Sequence, residues 1–302
     1  MKNNRFIKTV TVGIPAHNEE KNIRGLLESI LKQKGDNFRL EKIIVISDGC
    51  TDKTEQIISE LRTRYKIIEV INDGLRLGKN ARLNQFYGNL KSEIFISFDA
   101  DVKIIDTNII EEIVRAFKNK NTGLVGGRVL HAGTTIIGNL ISVYENFWLN
   151  VIDSINSGKN VHGHTGPISA GSKEFLKQVR IPDGLPDDHY LYFESIKMGF
   201  LYSYAKDARV FVKTPGTFND YMRQQTRFIN SAGDLKKYFG CWINEYYNIP
   251  YSTKLKAYLK TFVRYPLELP LAAVLVILQK MFSSRYSANN KKGLWVQIQS
   301  SK

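Results

Sequence analysis

Hydrophobic and polar positions along the first 120 residues switch repeatedly between two periods. Phe6 to Ile14 is β-branched and apolar and stops at Pro15-Ala16-His17-Asn18-Glu19, so a strand runs into a polar loop. Ile23, Leu26, Leu27, Ile30 and Leu31 then recur at i, i+3, i+4, i+7 and i+8, the stripe of a helix with one buried face. The same grammar returns with Lys42 to Ser47 as strand, Asp48-Gly49-Cys50-Thr51-Asp52 as loop, and Ile57, Ile58 and Leu61 on a second helix. A third unit has Ile67 to Ile71 as strand, Asn72 to Gly78 as loop and a helix from Lys79 to about Leu90. The fourth strand ends at Asp99, and Asp106 or Thr107 is expected to cap a helix carrying Ile109, Ile110, Ile113, Val114 and Phe117. Strands alternating with helices predict an α/β fold around a mostly parallel, Rossmann-like sheet.

Beyond Phe117 the pattern loosens. Gly123 to Val129 predicts another strand, and Ile136 to Ile155 a helix on which Tyr144, Phe147 and Trp148 are expected to pack rather than bind a sugar. Gly163 to Ser172 is a glycine-rich crossing, and Leu185-Pro186-Asp187-Asp188-His189 opens a helix carrying Tyr190, Leu191 and Phe193. After Asn230 the alternation of strand and helix ends. Leu255, Tyr258, Leu259, Phe262 and Val263 form a helical stripe with Lys254, Lys256, Lys260 and Arg264 around it. Leu267 to Leu278 is apolar apart from Glu268 and Pro270 but only 12 residues long. A bilayer span takes about 20 apolar residues, so in-plane attachment to an anionic membrane is the expectation. Packing of this tail on the domain or between subunits is the competing one. The expected division is residues 1–230 as a catalytic domain and 231–302 as a helical, membrane-interfacial extension.

Charge narrows the partners. The 43 Lys and Arg against 29 Asp and Glu give +14, which favours anionic partners. The basic residues are dispersed, with no basic arm and no zinc or aromatic RNA-binding signature, so nucleic acid is not expected. Cys50 and Cys241 are too few for a disulfide framework, and Met1 to Arg5 leads into a strand without a signal-peptide core. A cytoplasmic chain, peripheral or monotopic at the inner face of the cell membrane, is the expected setting.

Candidate chemistry gathers at strand ends. Ile94 to Phe98 is an apolar run closed by Asp99-Ala100-Asp101, and side chains at i and i+2 of a strand share a face. Two hard oxygen donors there suit Mn²⁺ or Mg²⁺, with a solvated aspartate turn as the plain alternative. Ligands in open α/β sheets sit beyond the carboxyl ends of strands, where Asn18, Glu19, Asp48, Asp99 and Asp101 fall. Arg76, Lys79 and Arg82 put cations near a helix N-terminus, a place for a diphosphate. Asp187 and Asp188 either serve as charges at a helix start or supply a general base. No Walker-type glycine loop occurs.

The order and spacing of these motifs resemble a family 2 inverting glycosyltransferase of the GT-A fold, in particular membrane-associated members similar to polysaccharide synthases. The resemblance rests on Pro15-Ala16-His17-Asn18-Glu19-Glu20, Asp48 to Asp52, Gly78-Lys79, Ala81, Asn84 and the Asp99/Asp101 pair. Ser47 stands where the family often has a first aspartate, leaving Asp48 to contact the nucleobase. The resemblance implies a nucleotide-diphosphate sugar donor, most simply a UDP-sugar, bound by Pro15, Ala16, Asn18, Glu19, Asp48, Lys79, Arg82, Asp99 and Gln224. It implies Mn²⁺ or Mg²⁺ on Asp101 and Asp99, and Asp188, with Asp187 beside it, as the base. Gln224-Gln225-Thr226-Arg227-Phe228 resembles the Gln-x-x-Arg-Trp motif with Phe in place of Trp, so Arg227 would meet the departing diphosphate. The implied acceptor is a hydroxyl of a glycan or a lipid-linked saccharide, and the family places the Gly163 to Ser172 crossing beside it. His162 and His164 are then acceptor-side or surface residues in preference to metal ligands. A sugar nucleotidyltransferase would carry a basic glycine loop after the first strand, which Pro15 to Glu20 is not, and a non-catalytic nucleotide-sugar-binding membrane partner would not need Asp188.

Overall fold

The computed structural model of the chain describes residues 7–282, with the side chains of 230–232 excepted. The segments 1–6 and 283–302, including the start of the first expected strand and the end of the expected extension, lie outside the described residues.

In chain order the elements are β1 (Lys8–Ala16), α1 (Ile23–Leu31), β2 (Phe38–Ser47), α2 (Thr54–Arg64), β3 (Ile68–Asn72), α3 (Lys79–Gly88), β4 (Ile94–Phe98) and α4 (Ile109–Ala116). They continue with β5 (Thr122–Ala132), α5 (Ile136–Ser154), β6 (Ile168–Ser172), α6 (Lys173–Leu176), α7 (Asp187–Lys197) and β7 (Leu201–Lys213). The last are α8 (Phe218–Phe239), α9 (Asn244–Tyr247), α10 (Tyr251–Arg264) and α11 (Glu268–Phe282). The strands form one seven-stranded sheet in the order β3-β2-β1-β4-β6-β5-β7, and the α/β class expected from the alternating periods is the one observed. All neighbours are parallel except β6, which runs antiparallel to both β4 and β5.

β4 explains why one hydrophobic run anchors the sheet. All five of its residues are buried, because helices cover both faces. Ile94, Ile96 and Phe98 pack with β1, α1 and α4 on one side, while Phe95 joins Phe86, Tyr87 and Leu83 of α3 on the other. Gly13 on β1 makes this second packing possible. A Cβ there would collide with the Phe95 ring.

Four expectations change. The helix after β4 starts from Asn108 without a side-chain cap, because Asp106 is taken by Arg209 at 3.0 Å. The Gly163 to Ser172 crossing contains a strand, β6. No period in the sequence predicts the 13-residue β7. It pairs beside β5 at the sheet edge, exposes Lys206, Asp207 and Arg209, and shifts register between Gly127/Ala205 and Arg128/Arg209. Edge polarity and a bulge together erase the period-two signal. Finally, the expected division between residues 230 and 231 falls inside α8, which runs unbroken to Phe239.

The helical tail turns an unexpected face inward. Ala257 and Thr261 of α10 are buried against α5, where Thr261 Oγ1 accepts from Asn150 Nδ2 at 2.9 Å. Leu255, Tyr258, Leu259, Phe262 and Val263 stay exposed, as do Leu271, Val274 and Ile277 of α11. Among the described residues no helix is long and apolar enough to cross a membrane.

Gly13→Ala is expected to destabilise the fold by about 1–3 kcal/mol through overpacking against Phe95. Gly88→Ala, with open space around its Cβ at the end of α3, should be neutral or stabilise by about 0.5–1 kcal/mol. Urea denaturation of the two variants beside the wild type measures the difference.

Candidate active site

The carboxyl ends of β1, β2 and β4 open on the same side of the sheet, and the loops that leave them are tied to one another by side chains. Asn18 adopts φ 52, a left-handed conformation that asparagine tolerates better than most residues. Its Oδ1 accepts the Thr51 backbone N–H at 2.7 Å, stitching the loop after β1 to the loop after β2. Ala16 O accepts the Asp48 N–H at 2.8 Å, at the end of the strand that contains Pro15. Glu19 is buried, donates its N–H to Thr54 Oγ1 at 2.7 Å and accepts from Asn22 Nδ2 at 2.8 Å.

At the centre lies Lys79, the first residue of α3. Its Nζ is 2.6 Å from Asp99 Oδ1 and 3.0 Å from Asp187 Oδ2, with all three side chains at most 13% exposed. Burial works against the ammonium, but the Asp187 and Asp99 carboxylates outweigh it and hold the lysine protonated above its ordinary range. Burial pushes the Asp187 carboxyl up, Lys79 opposes this, and Asp188 and Asp99 add to it. Gly166 closes the cluster from the loop before β6, where a Cβ would sit 3.0 Å from Lys79 Nζ.

Asp101 lies beyond Asp99. Burial, followed by the Asp99 and Glu19 charges, pushes its carboxyl up to about 7. A crowd of hard anionic oxygens destabilised by one another is the chemistry a small divalent cation relieves, and such a cation needs only one or two protein carboxylates when phosphate and water fill its other positions. Asp99 and Asp101 therefore fit Mn²⁺ or Mg²⁺. Among the described residues no group of three or more His, Cys, Asp or Glu forms an all-protein metal cage.

Asp188 follows at the start of α7. Burial disfavours its charge, yet the His189 and His164 rings and the His189 N–H, donated to Oδ1 at 2.7 Å, bring its carboxyl below the usual range. It is thus ionised and able to accept a proton at neutral pH. His164 is buried, with Nδ1 2.7 Å from Asp188 O and Nε2 2.9 Å from Ser169 Oγ, so its ring positions the Asp188 backbone. The His189 Nδ1 meets Tyr247 Oη at 2.9 Å. Arg227 of α8 is half-buried. Burial lowers its pKa, while Asp99, Asp188, Asp187 and Asp101 all act on its charge in the opposite sense. Gln224 lies one turn earlier on the same helix.

Two expected donor contacts face elsewhere. Arg82 is turned inward: its Nε donates to Asp48 Oδ1 at 2.9 Å and its Nη1 to Asp73 Oδ2 at 2.7 Å, and its side chain is fully buried. Asp48 also accepts the Leu77 N–H at 2.7 Å and the Gly78 N–H at 3.1 Å. Arg82 therefore fixes the 72–78 loop and does not point a free cation at a diphosphate. The carboxylate of Asp48 is committed to the same clamp. The reason is spatial: Lys79 opens α3 beside Asp99, whereas the Arg82 side chain is held between Asp48 and Asp73. The sequence places Gly166 and His164 in the glycine-rich crossing on the acceptor side, without their contacts to Lys79 and Asp188, and Tyr247 enters no sequence-based site.

Residues 11–180, more than half of the chain, match the model of glycosyl transferase family 2, and the chain belongs to that family. A dolichyl-phosphate beta-glucosyltransferase of Trichomonas vaginalis is 33% identical over 128 residues, covering 39% of each chain. A 4,4'-diaponeurosporenoate glycosyltransferase of Staphylococcus aureus is 27% identical over 176 residues, 55% of this chain and 44% of the relative. The matches thus span less than half the length of these curated relatives. In fold, the chain is similar to the mannosyltransferase PcManGT of Pyrobaculum calidifontis, solved with GDP-Man and Mn²⁺. That comparison has a TM-score of 0.60 and 18% identity, covering 91% of this chain and 76% of that one.

Arg82→Met is expected to destabilise the protein by about 3 kcal/mol, since it strands the buried Asp48 carboxylate. The Arg82 guanidinium holds the Asp73 carboxyl well below the usual carboxylate range, assisted by the Leu75 N–H. A depressed folded-state pKa gives stability that is present above the unfolded value of about 3.9 and is lost as pH falls. Wild type should therefore lose stability between pH 5 and 2 more steeply than Arg82→Met, as followed by thermal melts across that range.

Proposed function

We propose that the protein is a metal-dependent, inverting glycosyltransferase that moves a sugar from a nucleotide-diphosphate donor, a UDP-sugar in the simplest case, to a hydroxyl of a glycan or lipid-linked saccharide in surface polysaccharide or glycolipid synthesis. The observation that carries this reading is the buried cluster in which Asp99 from β4 and Asp187 from α7 meet on Lys79, with Asp101 and Arg227 beside it.

The base and ribose of the donor lie against the loops of Pro15 to Glu19 and Asp48, whose backbone positions are fixed by the bonds to Thr51, Thr54 and Arg82. Asp101 and Asp99 would hold Mn²⁺ or Mg²⁺, which when bound would supply charge neutralisation for the diphosphate. Asp188 takes the proton from the acceptor hydroxyl as its oxygen bonds to the anomeric carbon. The bond from that carbon to the diphosphate oxygen breaks, and the nucleoside diphosphate carries away the electron pair. Arg227 and Lys79 face the charge that develops on it, with Gln224 as a further contact. Attack from the side opposite the leaving group inverts the anomeric configuration. The PcManGT complex with GDP-Man and Mn²⁺ supports a donor and a metal of this kind.

The exposed apolar stripe of α10, flanked by Lys254, Lys256, Lys260 and Arg264, supports peripheral attachment to an anionic membrane at its inner face.

Calorimetric titration with UDP and GDP, each with and without Mn²⁺, should give metal-linked binding to at least one nucleotide that Asp101→Ala abolishes. Binding that ignores both metal and Asp101 would remove the donor assignment. Asp188→Asn should lower kcat by roughly 100- to 10,000-fold with nucleotide affinity unchanged. In flotation assays, phosphatidylglycerol vesicles should retain the protein and phosphatidylcholine vesicles should not. Reversing Lys254, Lys256 and Lys260 to Glu should weaken that retention roughly 100-fold at low salt. Equal partitioning into both vesicle types would exclude the membrane reading.

A further inference from the structure

Behind the loop that carries Gly163 to Thr165 lies a cavity of about 170 Å³, walled by α5, β5 and the start of α7. Trp148 of α5 and Tyr204 of β7 supply aromatic surface. His131 Nδ1, His162 Nε2 and Thr165 Oγ1, all on residues that line it, are buried without a hydrogen-bond partner among the described residues. Three orphaned polar atoms around one space are costly unless something fills it, since a buried donor or acceptor without a partner keeps its full desolvation penalty. With a water's share of liquid volume near 30 Å³, the space holds about five or six waters or roughly one pyranose ring.

The chemistry of the walls selects the occupant. No Lys or Arg lines the cavity, and Glu145 is there, so a phosphate has no counter-charge. Burial lowers the His162 pKa to about 4, with His189 and Lys254 adding to the effect, so this ring is neutral and bonds as a neutral donor or acceptor. An apolar occupant would leave the three polar atoms unsatisfied. A neutral polyol with an apolar ring face matches both the aromatic surface and the polar atoms. The ring of His162 is itself held between Trp148 and Tyr247, at centroid separations of 5.9 and 5.7 Å. Trp148 contacts Tyr144 and Phe147 as the sequence suggested, and it also lines the cavity.

The cavity shares its walls with the base. His164, between the lining residues Gly163 and Thr165, bonds the Asp188 carbonyl, and the lining residue His189 directly follows Asp188. We propose that this cavity holds a saccharide ring of the acceptor, with Trp148 against its apolar face and His131, His162 and Thr165 hydrogen-bonded to its hydroxyls. The proposal rests on the glycosyl-transfer reading and gives that reaction's acceptor a pocket and the residues that hold it.

The test is ligand-observed saturation-transfer NMR on the full chain, titrated with the methyl pyranosides of glucose, galactose, mannose and N-acetylglucosamine, and separately with inorganic phosphate. At least one pyranoside should bind wild type, with its Kd raised tenfold or more by Trp148→Ala and by His162→Phe. Thr165→Val, which keeps shape and removes the hydroxyl, should raise it about threefold and serves if a larger change prevents folding. UDP or GDP affinity with Mn²⁺ should not move in any variant. Absence of pyranoside binding, binding indifferent to all three substitutions, or displacement of the pyranoside by phosphate would overturn the proposal. Loss of pyranoside binding with nucleotide binding intact defeats the cavity assignment alone. Substitution-sensitive pyranoside binding without any nucleotide binding supports the cavity and defeats the donor reading instead.

Discussion

One buried ammonium holds three distant parts of the chain in register. Lys79 begins α3, Asp99 closes β4 and Asp187 opens α7, and both carboxylates meet its Nζ within 3.0 Å. A buried cation without those partners, or the partners without it, carries several kcal/mol of uncompensated desolvation. The cost makes the arrangement close to all-or-none. Gly166 completes it because any side chain there would press on the ammonium. The positions of Asp101, Asp188 and Arg227 follow from this fixed centre, since each lies on or next to an element that the centre ties down.

A second cation, one turn along the same helix, performs a different task. Arg82 spreads its guanidinium over Asp48, Asp73 and the Leu75 carbonyl, binding the loop after β3 to the loop after β2. A planar fork suits this many-partner clamp, whereas a compact ammonium suits the two-carboxylate centre. Exchange of the two residue types would satisfy neither place. The rigid loops thus derive from Arg82, and the charged centre from Lys79.

Much of the architecture was legible in the sequence because the relevant periods are clean. The stripe from Ile23 to Leu31 lies on one helix, and the five buried residues of β4 read as an uninterrupted apolar run. The strand β7 was illegible for the opposite reason, its alternation being cut by a bulge and its outer edge charged. Motif order identified the segments that converge, including Asp99, Asp187, Asp188 and Lys79. It could not separate Lys79 from Arg82, because the direction of a side chain on a helix depends on what the helix is packed against. The contacts of His164 and Tyr247 were beyond reach as well: to Asp188 O and His189 they join residues 24 and 58 positions apart, and no local pattern records such a pairing.

The reversed strand β6 has a consequence for the order in which the molecule can be assembled on the ribosome. It pairs with residues of β4 at least 70 positions earlier, and Asp187 emerges later still. Until then the emerging chain can pair β1 to β4 and leave one side of β4 open, with Lys79 facing Asp99 alone. Contacts of such long sequence separation form late. The chemistry-bearing centre therefore stays incomplete until α7 has emerged, and a nascent chain arrested before it would carry strands β1 to β6 without the charge balance that defines their middle.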